Sequence, residues 1–472
     1  MITFILSIVA LLLGYFLYSR FVEKIFGADP NRKTPAYTLE DGIDYVPMNW
    51  WKIFLIQFLN IAGLGPIFGA IAGAMWGPVA FLWIVLGSVF AGAVHDYLSG
   101  MISIRLNGLS IPEIVGKYLG IEIKQFMRAF TVGLMVLVGA VFITGPSNIL
   151  HGITPGIAAK WWAIIVFVYY TLATLLPIDK LIGRIYPAFG FALLFMAVGI
   201  TFSLFYNGYH VPELTFSTFG NLHNQGDKMP IFPMLFVTVA CGAISGFHAT
   251  QSPLMARCMK NEKLGRRVFY GAMITEGVVA LIWAAAGMAF FGGVKELNTV
   301  MVEHKGDAAW AVNLISNTLL GKLGGILAIL GVVAAPITSG DTAFRSARLI
   351  VADFLNIKQA KLVSRLYISV PLFVIGFLLT QVDFSIIWRY MAWSNQVLAT
   401  IVLWTVTVYL YSEKKLYWIA LIPAVFMTMV VSSYIMVAPE GFMLSRNTGV
   451  LTGSGITFVI LLAFMLKKRN RQ

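Results

Sequence analysis

Charge is what this chain has least of. Asp, Glu, Lys and Arg make up 12% of its 472 residues, against 58% hydrophobic, a balance that excludes a soluble globular protein. Cysteine is nearly absent: Cys241 and Cys258 are too few for a disulfide framework and too sparse for a zinc site. No metal and no organic cofactor is therefore expected. The phosphate-cradling G-x-x-x-x-G-K-[ST] loop of an energised pump is missing, as are H-E-x-x-H and G-x-S-x-G. The nearest approach is residues 242–246 (GAISG), where the serine stands one position late for a nucleophile elbow. An enzyme is not the expectation. No low-complexity segment occurs.

What the chain has is apolar runs. A membrane-spanning helix needs about 20 mostly apolar residues, and thirteen spans are predicted near 2–22, 51–76, 79–104, 126–146, 161–177, 185–207, 230–255, 268–291, 323–345, 362–380, 384–411, 416–437 and 449–466. The first has no small-residue cleavage site behind it and is read as a retained helix. The connections alternate in charge. One set holds only Lys160, Lys228, Lys295, Lys305, Lys322 and Arg446, Arg389 lies inside a span, and the remaining 27 of the 34 Lys plus Arg fall on the other set or in the tail. Basic loops stay cytoplasmic, which places the N-terminus outside and the C-terminus inside. The net charge of +13 is thus explained by topology and anionic lipid, without nucleic acid.

Two spans carry helix-breaking residues near their middles. The second contains Asn60, Gly63, Gly65 and Pro66; the seventh contains Gly242, Gly246 and Pro253 around Ser245, His248 and Gln251. Gly weakens a helix interior and Pro removes a backbone hydrogen bond, so unwinding is predicted over 60–66 and 242–253. Unwound backbone at membrane depth survives only where protein or a wet cavity satisfies it, and it can then hold a polar solute and its coupling ion. The two breaks lie five spans apart and so cross in opposite directions. That spacing predicts an all-α polytopic membrane protein with a five-plus-five inverted-repeat core. Residues 51–207 would form the first repeat, 230–411 the second, 1–50 an extra helix and cytoplasmic loop, and 412–472 two further helices, all in one membrane domain. A small-residue ladder, Gly65, Gly69, Gly73 and Gly77, suits close helix packing.

Ionisable residues within spans are functional candidates by default. His95 and Asp96, toward the cytoplasmic end of the third span, can exchange protons near neutral pH, unless they form a fixed structural pair that anchors helix packing. His248 lies in the second break. Thr338, Ser339 and Asp341 in the ninth span could coordinate a hard cation or take a proton, unless Asp341 simply pairs with Arg345 one turn on. Glu276 and Arg389 are further intramembrane charges. Trp393, Ser394, Asn395 and Gln396 form a polar patch in the eleventh span. The loop 292–322 is expected to hold a short amphipathic helix around 308–319.

Five runs carry a family likeness: 60–79 (NIAGLGPIFGAIAGAMWGPV), 93–106 (AVHDYLSGMISIRL), 241–258 (CGAISGFHATQSPLMARC), 337–349 (ITSGDTAFRSARL) and 388–397 (WRYMAWSNQV). The chain resembles the carbon starvation protein A family. The resemblance implies a bacterial inner-membrane transporter of the LeuT-like fold, within the wider amino acid–polyamine–cation superfamily. Such proteins are regarded as peptide importers, with relatives that carry pyruvate with protons. It also implies a solute site at Asn60, Gly63, Gly65, Pro66, Ser245, His248 and Gln251. Thr338, Ser339 and Asp341 match the position where sodium-coupled relatives place an ion-ligand helix. H+ and Na+ both stay open as coupling ion, as do peptide and pyruvate as cargo. Beyond residue 410 no correspondence is drawn. A membrane-embedded metabolite sensor is the rival from another class, an intramembrane enzyme the third reading. The expected partners are a small-molecule or peptide substrate and the lipid bilayer, with homo-oligomerisation left open.

Overall fold

The computed structural model describes residues 1–42, 44–175, 178–359 and 361–469. Part of the basic tail, Arg471, lies outside the described residues. The chain is all helix and loop among them: α1 Ile2–Phe26, α2 Trp50–Ile61, α3 Gly65–Trp76, α4 Val79–Arg105, α5 Ile111–Leu119, α6 Ile121–Ile153, α7 Ala159–Leu175 and α8 Ile178–Tyr206. Short turns over residues 231–243 (α9) lead into α10 Gly246–Ala256 and α11 Glu262–Phe290. The remainder is α12 Val294–Glu303, α13 Ala308–Leu327, α14 Ala334–Leu355, α15 Leu362–Leu379, α16 Phe384–Ser412, α17 Trp418–Val437 and α18 Arg446–Arg469.

Nine helices among the described residues are long and apolar enough to cross a membrane, ten when the bent pair α2–α3 is taken as one. Length and apolarity thus mark ten of the thirteen expected spans. The other three fall on α7, which is short, on the fragmented α9–α10, and on α14 with the π-helical turns Ala328–Val333 that precede it. The amphipathic helix expected at 308–319 is the first part of the longer α13, and α12 precedes it.

Both interruptions are present, and their pairing is antiparallel. The first helix bends by 58° between α2 and α3, but only residues 62–64 leave the helix, fewer than the predicted 60–66, because Asn60 lies in the last turn of α2 and Gly65 and Pro66 open the π-turn of α3. The second breaks at Ile244 and Ser245, which are fully extended. That break is narrower than predicted: Gly242 closes the last turn of α9, and Pro253 sits inside α10. Pro253 is tolerated there because neighbouring groups in a membrane bundle can satisfy the backbone it frees. The half-helix α3 packs on α9 while α2 packs on α10, so each helix meets the other's opposite end. The glycine ladder makes the approach close. A Cβ on Gly65 would lie 2.2 Å from that of Cys241, one on Gly69 2.7 Å from Thr238 O, and one on Gly73 2.1 Å from Val239 Cγ2.

Helix α1 is fastened at both ends against α4 and α11. Glu213 accepts from the amides of Ile2 and Thr3, each at 2.7 Å, and at the other end Arg105 donates to Gly27 O at 2.6 Å. The fully buried Glu262 joins this basic end, receiving Asp29 N at 2.8 Å and Arg105 at 3.3 Å. Arg389, expected within a span, lies in the first turns of α16 inside the apolar stretch Ile386–Ser412, 43% exposed, with its Nε 3.4 Å from the Glu440 carboxylate.

At the far end from this basic face, the loop 207–230 closes over the tip of α3. Trp76 Nε1 donates to Met229 O at 2.9 Å, its ring lies 4.5 Å from that of His223, and Asn298 ties Met75 O to the amide of Asn224. Burial pushes the His223 imidazole down to about 4, and its Nδ1 accepts from Gln225 N at 3.1 Å. The unfolded chain takes a proton below pH about 6.5, whereas the folded one resists until about 4. The stability from this residue is therefore complete above pH 6.5 and drains away as pH falls to 4. The expected outcome is a thermal midpoint that drops by on the order of 2 °C more in wild type than in His223→Gln between pH 7 and 4.5. Equal slopes in detergent melts would contradict it.

Candidate functional site

Four titratable side chains, none with measurable exposure, stand in a line beside the two breaks. His95 Nδ1 lies 2.8 Å from Asp96 Oδ1, and Asp96 Oδ2 lies 2.9 Å from His248 Nδ1. His248 Nε2 then approaches Glu276 Oε2 at 3.3 Å, within ion-pair range but outside hydrogen-bond geometry. Three elements supply them: α4 gives His95 and Asp96, the first turn of α10 gives His248, and α11 gives Glu276. Glu276 was expected only as an isolated charge. His95 and Asp96 lie in the half of α4 nearer Arg105 and the basic end, as expected, and level with the second break, because Asp96 reaches His248 two residues into α10.

The proton bookkeeping of this line is simple. An ionised Asp96 only accepts, so both imidazoles present Nδ1–H to it. His248 Nε2 and Glu276 then face each other with room for one shared proton. Either the imidazolium donates to a carboxylate, or a carboxylic acid donates to a neutral ring. A proton can reside on either group, and passes between them once the pair closes into hydrogen-bond geometry. Such a pair of states is what proton exchange at a buried site requires.

The unwound backbone beside it is satisfied from α16 and α4. Asn395 Oδ1 accepts from Phe247 N at 2.6 Å, and its Nδ2 donates to Ser245 Oγ at 2.8 Å. Gln396 Nε2 donates to Ile244 O at 2.8 Å, and Ser88 Oγ to Gly242 O at 2.9 Å. Ser245 stands at the N-cap of α10 without capping it, so Asn395 performs that service from another helix. The approach demands glycine: a Cβ on Gly246 would lie 2.4 Å from Asn395 O and 2.5 Å from Ala399 N, both backbone atoms.

The residues of the ninth predicted span form a separate group. Ser339 Oγ donates to Leu59 O at 3.1 Å and to Ala335 O at 2.9 Å, and Thr338 Oγ1 donates to Ala335 O at 2.7 Å. These hydroxyls thus sit against the last turn before the first break. Asp341 Oδ2 receives a hydrogen bond from Tyr186 OH at 2.8 Å, a partner the sequence did not suggest, while Arg345 reaches Ala173 O at 3.0 Å. The five expected coupling residues accordingly divide into two centres. Of the expected solute residues, Gly65 is packed on Cys241 and Gly63 on the ring of Phe142. Pro66 is the second residue of the π-turn opening α3, and both amide atoms of Asn60 are buried without partner. Gln251 lies one turn beyond His248 and donates to Thr250 Oγ1 at 2.9 Å. The residues that flank the two breaks touch directly, Gly65 against Cys241 and Gly242 against Pro66.

Comparisons with known proteins bear on the family and the fold. The profile of the family described as "Carbon starvation protein CstA" matches residues 1–160 and 154–318. An uncharacterized membrane protein of Haemophilus influenzae is 46% identical over 340 residues, covering 62% of this chain and 91% of its own. The peptide transporter CstA of Bacillus subtilis is 31% identical over 60% of this chain and 57% of its own length. The pyruvate/proton symporter BtsT of Escherichia coli is 28% identical over 58% and 47%. The chain thus matches about half the length of these two named relatives. Among solved structures, a manganese transporter of Eremococcus coleocola aligns with TM-score 0.53 at 13% identity, covering 92% of this chain and 99% of that one. MhsT bound to L-phenylalanine aligns with TM-score 0.54 at 14% identity over 89% and 99%. These two likenesses show the fold, the LeuT-type architecture that antiparallel broken helices had indicated. With the profile covering most of the chain, the chain belongs to the carbon starvation protein CstA family.

Proposed function

We propose that this protein is a secondary active transporter that imports a small polar nutrient, peptide by first choice, into carbon-starved bacterial cells on a proton gradient. The single observation that carries the proposal is the His95–Asp96–His248–Glu276 line, which joins protonatable groups to the break in α9–α10. Proton uptake at Glu276 and His248 would alter the charge beside both unwound segments, and so bias which way the bundle opens. The cytoplasmic membrane is the setting, with the basic face inside, the N-terminus outside and residues 51–207 and 230–411 as the inverted repeats.

Two alternatives have specific support. Pyruvate as cargo is favoured by the symporter relative from Escherichia coli. Sodium as coupling ion is favoured by the oxygens of Leu59, Ala335, Thr338 and Ser339 gathered at the first break, since hard cations take oxygen ligands.

Proteoliposomes given labelled dialanine or labelled pyruvate separate these readings. The expected result is accumulation of dialanine above empty vesicles when the lumen is alkaline, abolished by a protonophore and indifferent to sodium. Accumulation driven only by sodium would move the coupling role to Ser339 and its neighbours. No accumulation of either solute would overturn the importer.

A further inference from the structure

The polar side chains nearest the first break are short of partners. Both amide atoms of Asn60 and both of Gln57, one turn before it, are fully buried and without a hydrogen bond; so is Gln251 Oε1. Gln57 was not among the expected site residues. Its direction follows from the helix. Leu55 occupies the side of α2 that meets Gly190 of α8, and Phe54 the side that meets Gly271 of α11. Gln57 and Asn60, three positions apart, share the arc left over, and α10 with Gln251 packs against α2. A buried amide left unpaired is costly, and these three stand on two helices that pack against each other.

We propose that Gln57, Asn60 and Gln251 form a carboxamide subsite on the basic side of the break, which takes a neutral group of the cargo carrying hydrogen-bond donors as well as acceptors. The count of free atoms sets the chemistry. Three carbonyl oxygens and two amide nitrogens wait for partners. A monocarboxylate anion such as pyruvate offers acceptors alone and would leave every one of those oxygens unpaired. A group with an N–H beside a C=O matches both kinds. The inference rests on the transport reading and adds to it the residue that discriminates between cargoes.

Gln57→Leu tests it, because it keeps roughly the size while removing the amide. A merely structural glutamine would destabilise the protein when replaced. A glutamine held in reserve for cargo should do the reverse, since a greasy side chain suits an apolar site better than an unsatisfied one. The expected result is a thermal midpoint in detergent equal to or above wild type, together with a KM for dialanine raised at least tenfold in proteoliposomes. Gln251→Leu should raise that KM as well. A lower midpoint for Gln57→Leu, or an unchanged dialanine KM, would overturn the subsite. Should wild-type vesicles move neither solute, the transport reading fails on its own, and the thermal comparison still decides whether Gln57 is satisfied by the fold.

Discussion

Asp96→Asn should lower pH-gradient-driven accumulation of cargo by about 100-fold or more, the scale on which a positioned proton-transfer group acts. Downhill counterflow should stay within about tenfold of wild type. The reason lies in the middle position of Asp96, whose two oxygens each hold an imidazole. An amide offers one acceptor and one donor, so it can serve one ring as a carboxylate does but must turn the other or lose it. His248 is then no longer aligned on Glu276, and the shared proton has no fixed path. Removing one partner from a buried charged group also costs about 3–5 kcal/mol, so the variant must first be shown to reach the membrane and to melt cooperatively. His248→Gln is the companion, since it leaves the His95–Asp96 contact in place and should produce the same split between accumulation and counterflow. Asp341→Asn is the contrast: bonded to Tyr186 and standing apart from the line, it should leave gradient-driven accumulation within a few-fold of wild type. Loss of accumulation in Asp341→Asn with Asp96→Asn intact would transfer the coupling role to the α14 centre.

Much of this arrangement was legible in the sequence, for definite reasons. Gly63, Gly65 and Pro66 announce the first break because backbone freedom and a missing N–H are properties of those residues alone, independent of what surrounds them. The same signs overstated the second break. Pro253 is a breaker by composition, but its freed carbonyl sits within α10 where the bundle tolerates it, and the chain unwinds only at Ile244 and Ser245. Two further features depend on contacts that no local pattern encodes. His248 and Asp96 are 152 positions apart, and nothing near either names the other. Asn395 and Gln396 read as a generic polar patch because the backbone they serve lies about 150 residues upstream. Glu276 likewise looked like a solitary charge. A more pointed sign was available: a carboxylate in a membrane helix with no cation within a turn must find its partner elsewhere, and the histidine in the second break was the nearest candidate by depth.

Asn395→Leu should be the most damaging single change outside the titratable line. Ser245 fails to cap α10, so the first free amide of that helix depends on Asn395 Oδ1 at 2.6 Å, and the Ser245 hydroxyl depends on Asn395 Nδ2 at 2.8 Å. Leucine leaves the Phe247 amide buried and unsatisfied, at about 1–3 kcal/mol, and the Ser245 hydroxyl with only the weak Cys241 thiol contact at 3.7 Å, which should lower the thermal midpoint by on the order of 5 °C. The functional loss should exceed what stability alone explains. Without that clamp the extended pair Ile244–Ser245 can fall back into helix, which would rotate His248 away from Asp96 and Glu276 together. Asn395→Asp keeps an acceptor for Phe247 N, so it should recover part of the midpoint. Gln396→Leu removes only the bond to Ile244 O and should cost less. Combining it with Asn395→Leu should be non-additive, because both side chains hold the same two-residue break. An Asn395→Leu protein that melts as wild type does and accumulates cargo within twofold of it would show that the break holds its shape unaided.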